Sequence, residues 1–96
     1  MRAIHVLVVD DSALVREILQ RTLTEDGRFH VSVAADPIIA MGKMERAKPD
    51  VILLDLAMPR MDGLAFLKKL MAEDPVPVVV CSAFDTTEVE AVARKR

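Results

Sequence analysis

Three short apolar runs constrain the fold of this chain more than any other feature. Val6-Leu7-Val8-Val9, Val51-Ile52-Leu53-Leu54 and Val78-Val79-Val80-Cys81 are short and rich in β-branched side chains. Continuous apolar character, without alternation, marks strands buried on both faces, as in a parallel sheet. Parallel neighbours need crossover connections, and the segments between the runs carry helical periodicity. Residues 12–25 place Leu14, Val15, Ile18, Leu19 and Leu23 on one face, with Arg16, Glu17, Gln20 and Arg21 opposite. Gly27 follows as a stop. A second helix opens with Asp36 as N-cap and Pro37 at its first position, and runs to about Ala47. Gly42 inside it costs about 1 kcal/mol relative to alanine, which makes this helix the softest. Pro49 ends the connection.

A third helix is expected from about Gly63 to Glu73, with Leu64, Leu67, Leu70 and Met71 as its inner stripe. A fourth starts at the capping box Asp85-Thr86-Thr87-Glu88 and continues to Arg96. The alternating segment His30–Ala34 supplies a weaker strand near a sheet edge. The resulting order, β-α-β-α-β-α-β-α, predicts a doubly wound α/β sheet with right-handed crossovers. At 96 residues the chain is one domain's worth of protein.

Composition excludes several classes. Apolar residues reach 52% against 29% charged, which suits a packed soluble domain and not a disordered tail. No apolar run exceeds four residues, far short of the roughly 20 that span a bilayer, and Met1–His5 contain no signal-peptide core. A formal charge of −2 offers no global field for nucleic acid or membrane. The one cysteine, Cys81, rules out an internal disulfide and a thiolate zinc cluster, and a reducing cytoplasmic setting fits best.

In doubly wound sheets ligands bind beyond the carboxyl ends of the strands, near the switch in strand order. Asp10 and Asp11 follow the first strand, Asp55 follows the third and Ser82 the fourth. With order 2-1-3-4, strands one and three are neighbours and three carboxylates converge. A single Asp at a strand end is commonly a turn former, and Asp11 or Ser12 has the chemistry to cap the first helix. The convergence of three carboxylates is what points to a ligand. Clustered carboxylates repel unless neutralised, and no cation lies within three positions of any of them. A hard Mg²⁺ ion with oxygen ligands answers this and leaves one carboxylate to serve as a nucleophile toward phosphorus.

Val8-Val9-Asp10-Asp11-Ser12, Asp55 after Val51–Leu54, and Met58-Pro59-Arg60-Met61-Asp62-Gly63 together resemble the receiver domain of bacterial two-component response regulators. The likeness runs from about Ile4 to the end. Val9–Arg16, Met58–Leu70 and Pro75–Val78 are most similar to the receiver of the chemotaxis protein-glutamate methylesterases. The resemblance implies that Asp55 accepts a phosphoryl group from a histidine kinase and switches an output. It implies Mg²⁺ held by Asp11, Asp55 and the backbone carbonyl of Ala57, with Asp10 acting through a water. It also implies a Ser82 hydroxyl donated to the phosphoryl oxygen.

Such receivers carry a fifth strand and helix with a lysine near the end of that strand. The 96 residues contain neither, and Lys95, inside Arg94-Lys95-Arg96, is no equivalent. The expectation is a single receiver domain, 1–96, truncated at its C-terminus and without an esterase or other output domain. Its exposed fourth strand is able to pair with a second copy. The competing readings are a docking module without phosphorylation, an aspartate-nucleophile phosphohydrolase and a flavin binder. The phosphohydrolase pattern Asp-x-Asp is not met, since Leu56 and Ala57 follow Asp55. Against a flavin phosphate, Asp10 and Asp11 are repulsive.

Of the remaining residues, His5 and His30 are expected to be structural, and Cys81 an inert thiol buried in the fourth strand. Met41, Met44 and Met71 read as core fillers. Met58 and Met61 suit loop packing or a kinase-facing surface, and Pro59 fixes a turn.

Overall fold

A computed structural model describes residues 2–56 and 63–81. Along the chain run β1 (Ile4–Val9), α1 (Ala13–Asp26), β2 (Phe29–Ala34), α2 (Pro37–Arg46), β3 (Val51–Leu54), α3 (Gly63–Glu73) and β4 (Val78–Val80). The four strands form one sheet of order β2-β1-β3-β4, every pairing parallel. This is the expected doubly wound topology, and the weak strand β2 lies at its expected edge. The anticipated fourth helix, Asp85–Arg96, lies outside the described residues.

Local chemistry explains the element boundaries. The Ser12 hydroxyl accepts the Val15 amide at 3.2 Å and caps α1. Gly27 ends that helix in the left-handed region at φ 84°, where its amide reaches the Thr24 carbonyl and where a side chain would be strained. The Asp36 carboxylate accepts the Ile39 amide at 2.8 Å ahead of Pro37.

Alternate residues of each strand serve opposite faces. Leu7, Val9, Ile52 and Leu54 pack with Ala40 of α2 and with Phe66, Leu67 and Leu70 of α3 in the main core. Met41, Met44 and Met71, expected as core fillers, are partly buried and pack at its margin. Val6 and Val8 are buried on the other face, which the right-handed crossover assigns to α1.

Three expectations need correcting. In α1 no residue is fully buried: Leu19 and Leu23 are half-buried, while Leu14 and Ile18 remain 65% and 52% exposed. The helix lies across β1 and β2, and on β4 Val79 is likewise 51% exposed. Amphipathic spacing announces an apolar face but not what covers it. In α3 the inner stripe includes Phe66, which the leucine spacing passed over, while Leu64 and Met71 are only half-buried. Finally, Cys81 lies just beyond β4 and is exposed, not buried within the strand.

Candidate functional site at the carboxyl edge of the sheet

Three backbone hydrogen bonds align the strand ends. Asp10 donates to the Ala34 carbonyl at 3.1 Å, Asp55 to Val9 at 3.0 Å and Cys81 to Leu54 at 3.0 Å. The register Val9↔Leu54 then sets Asp10 beside Asp55. One carboxylate oxygen from each of Asp10, Asp11 and Asp55 lies within 4.8 Å of the others. The predicted convergence of acids is therefore present, and it depends on β1 and β3 being neighbours although α1, β2 and α2 separate them in sequence.

The three carboxylates occupy different environments. Asp10 is buried at 7% exposure, Asp55 is half-buried and Asp11 is exposed. The Ser12 amide donates to Asp10 Oδ1 at 2.8 Å, closing an Asx turn at the head of α1. Ser12, not Asp11, is the N-cap of that helix. Burial pushes the Asp10 pKa above its ordinary value, the Ser12 amide opposes that rise, and the charges of Asp55 and Asp11 add to it. Arg16 draws it back. The charged form of Asp10 is thus disfavoured by its surroundings. A small divalent cation with oxygen ligands matches both this deficit and this donor set.

The β3 end is held from below by glycine. An added Cβ at Gly63 would stand 2.8 Å from the Leu56 Cα and 2.9 Å from the Asp55 carbonyl oxygen. Only hydrogen there lets the first turn of α3 lie against the backbone that carries Asp55. In the sequence this glycine closes the Met-Pro-Arg-Met-Asp-Gly stretch.

Two anticipated groups, the Ala57 carbonyl and the Ser82 hydroxyl, lie outside the described residues, as do Met58, Pro59 and Met61. Cys81 adjoins the site. Its thiol pKa is raised by partial desolvation of the sulfur, although the residue as a whole is exposed, and further by the Asp10 and Asp55 charges. It therefore stays protonated at neutral pH, a weak nucleophile. His5 and His30 stand at the opposite end of the strands, where His5 Nε2 meets Ser32 Oγ at 2.9 Å and the two rings lie 5.2 Å apart.

Arg16 was missed by counting sequence neighbours of the acids. It is six residues from Asp10, yet its guanidinium donates to the Asp10 carbonyl at 2.7 Å. Helical side chains lean toward the N-terminus, which directs an arginine in the first turns of a helix toward the preceding loop, but the sequence does not say that it reaches Asp10.

Comparison with known proteins agrees with this arrangement. Residues 6–95 match the response regulator receiver domain. A protein-glutamate methylesterase/protein-glutamine glutaminase of Anaeromyxobacter dehalogenans is 54% identical over 94 residues, covering 97% of this chain and 26% of that protein. One from Pseudomonas syringae pv. tomato is 58% identical over 83 residues, covering 85% and 23%. The chain thus spans about a quarter of the length of these relatives. Among solved structures, the response regulator domain of Thermotoga maritima CheB superposes with a TM-score of 0.82 at 35% identity, covering 95% of this chain and 73% of that one. Vibrio cholerae CheY4, a chemotaxis protein, gives 0.81 at 33%, covering 95% and 81%. Matched over nearly its whole length, with Asp10, Asp11 and Asp55 gathered at the carboxyl edge of a 2-1-3-4 sheet, the chain belongs to the response regulator receiver domain family.

Proposed function

We propose that residues 1–96 form a receiver unit that takes a phosphoryl group onto Asp55 from the phosphohistidine of a histidine kinase in a chemotaxis pathway. The observation that carries this reading is the carboxylate triad within 4.8 Å. In the transfer, an Asp55 carboxylate oxygen attacks phosphorus in line, the P–N bond to the kinase imidazole breaks, and the imidazole nitrogen keeps the electron pair. Such a transfer needs positioning and charge neutralisation more than covalent help from the protein.

The carboxylate triad fits Mg²⁺, which Asp11, Asp55 and the Ala57 carbonyl would hold directly and Asp10 would hold through a water. Bound there, the cation neutralises the carboxylates and the incoming phosphoryl oxygens. The hydroxyl of Ser82 donates to a phosphoryl oxygen. In this reading the chain is a switch and not itself an enzyme, and the output belongs to a region such as the one that lengthens its methylesterase relatives. A cytoplasmic setting goes with a kinase donor. Among the described residues no helix is long and apolar enough to cross a membrane. Pairing of two copies along the β4 edge belongs to the same proposal; sedimentation that stays monomeric across concentration removes it.

Intact mass after incubation with acetyl phosphate tests the central claim. The expected result is a single phosphoryl adduct that requires Mg²⁺ and is absent from Asp55→Asn. A folded chain that gains no adduct reduces the unit to a docking module. An adduct that persists in Asp55→Asn places the chemistry elsewhere.

A further inference from the structure

Asp10 is held at three points. Its amide donates to the Ala34 carbonyl of β2 at 3.1 Å, its Oδ1 accepts the Ser12 amide at 2.8 Å, and its carbonyl oxygen accepts the Arg16 guanidinium at 2.7 Å. The first is a backbone pair supplied by the sheet, and the second joins the Asp10 carboxylate to a backbone amide two residues on. The third spans six residues and depends on one side chain. Arg16 is half-buried, and its own amide is fixed to the Ser12 carbonyl at 3.0 Å by the first turn of α1. Its guanidinium therefore ties the start of the helix back to the last residue of the β1 end and closes the turn that carries Asp10, Asp11 and Ser12.

We infer that Arg16 is a positioning residue of the acidic site, holding the β1–α1 turn so that Asp10 and Asp11 face the same point as Asp55. The inference rests on the cation-binding reading above. It carries an unusual sign. A guanidinium beside a cation site repels the cation, so by charge alone removing it tightens binding. By geometry, removing it frees the Asp10 carbonyl and loosens the turn, which weakens binding. Outer-shell contacts that orient metal ligands are typically worth tenfold or more in affinity, and a single screened charge near the surface is worth less. The geometric effect therefore dominates.

The test is Mn²⁺ binding followed by the free-ion electron paramagnetic resonance signal, with Mg²⁺ as competitor. It is run on the unaltered chain and on Arg16→Met, Arg16→Lys, Arg21→Met and Asp55→Asn, each checked for folding by circular dichroism and urea titration. Arg21 pairs with Glu17 on the exposed side of α1 and serves as the charge control. The expected result is affinity about tenfold weaker in Arg16→Met, a smaller loss in Arg16→Lys, which keeps a charged donor, and no change in Arg21→Met. Should Arg16→Met fail to fold, Arg16→Lys decides by the same criterion. Equal or tighter binding in the folded Arg16 variant, beside weakened binding in Asp55→Asn, overturns this inference alone. An unaltered chain that binds no cation, or an Asp55→Asn variant that binds equally well, overturns the metal-site reading and this inference with it.

Discussion

Gly63 shows how little tolerance the site has at single positions. A methyl group there meets the Leu56 Cα at 2.8 Å and the Asp55 carbonyl at 2.9 Å, both main-chain atoms with no rotamer to yield. Gly63→Ala is expected to cost about 1–3 kcal/mol, the usual range for overpacking, read as a lower urea midpoint. Because the displaced backbone carries Asp55, phosphoryl uptake should fall in the same variant even where it is fully folded. Gly42 makes the opposite case. Nothing lies within 4 Å of an added Cβ there, so Gly42→Ala is expected to stabilise α2 by up to about 1 kcal/mol through helix propensity. The sequence marks both positions as glycine; only the packing around them reverses the sign of the change.

Among the elements, α1 and β3 differ most in what they contribute. Ile52 on β3 is fully buried in the core formed with α2 and α3, and Ile52→Ala should cost about 2–5 kcal/mol. Ile18 on α1, though equally apolar, is half open to solvent, and Ile18→Ala should cost less than about 1 kcal/mol. Urea titration of the two variants side by side checks the contrast. The amino-terminal ends of β1 and β3 are joined by Asp50, which accepts the His5 amide and the Arg2 guanidinium, each at 2.7 Å. The His5 amide, followed by Arg2, holds the Asp50 pKa below its ordinary 3.8. A depressed carboxylate pKa stabilises the fold above the unfolded value, and that stability is lost as pH falls through the lower folded value. Asp50→Asn should therefore flatten the acid limb of the stability profile below about pH 4. An unchanged acid limb would show that the pair is too exposed to matter.

At the scale of the molecule, folding assembles the acidic cluster and the cluster works against folding until it is neutralised. Burial and the charges of Asp55 and Asp11 raise the Asp10 pKa and so disfavour its charged form, a standing cost to holding that charge in the metal-free chain. Saturating Mg²⁺ should raise stability, by about 2.7 kcal/mol at a hundred times its dissociation constant. Asp10→Asn should raise the urea midpoint in chelator while shrinking the gain from Mg²⁺. A midpoint indifferent to Mg²⁺ in the unaltered chain would argue against the cluster as a cation site.

The local texture of the sequence was enough to establish the elements of the described residues, their order and the class of sheet. Apolar runs, a serine and an aspartate at helix starts, and a glycine at a helix end act over four or five residues, and such interactions are specified by neighbours in the chain. The acids Asp10, Asp11 and Asp55 were legible because strand ends in this topology share one edge. Contacts that arise between elements were decided by the tertiary structure alone. Arg16 reaching Asp10, Gly63 lying on the Asp55 backbone, Phe66 entering the core, the open face of α1 and the exposure of Cys81 all depend on where separate elements come to rest. Periodicity states that a face is apolar, and spacing states that two residues are six apart. Whether the face is covered or the two residues touch depends on distances in space, which the order of residues constrains but does not contain.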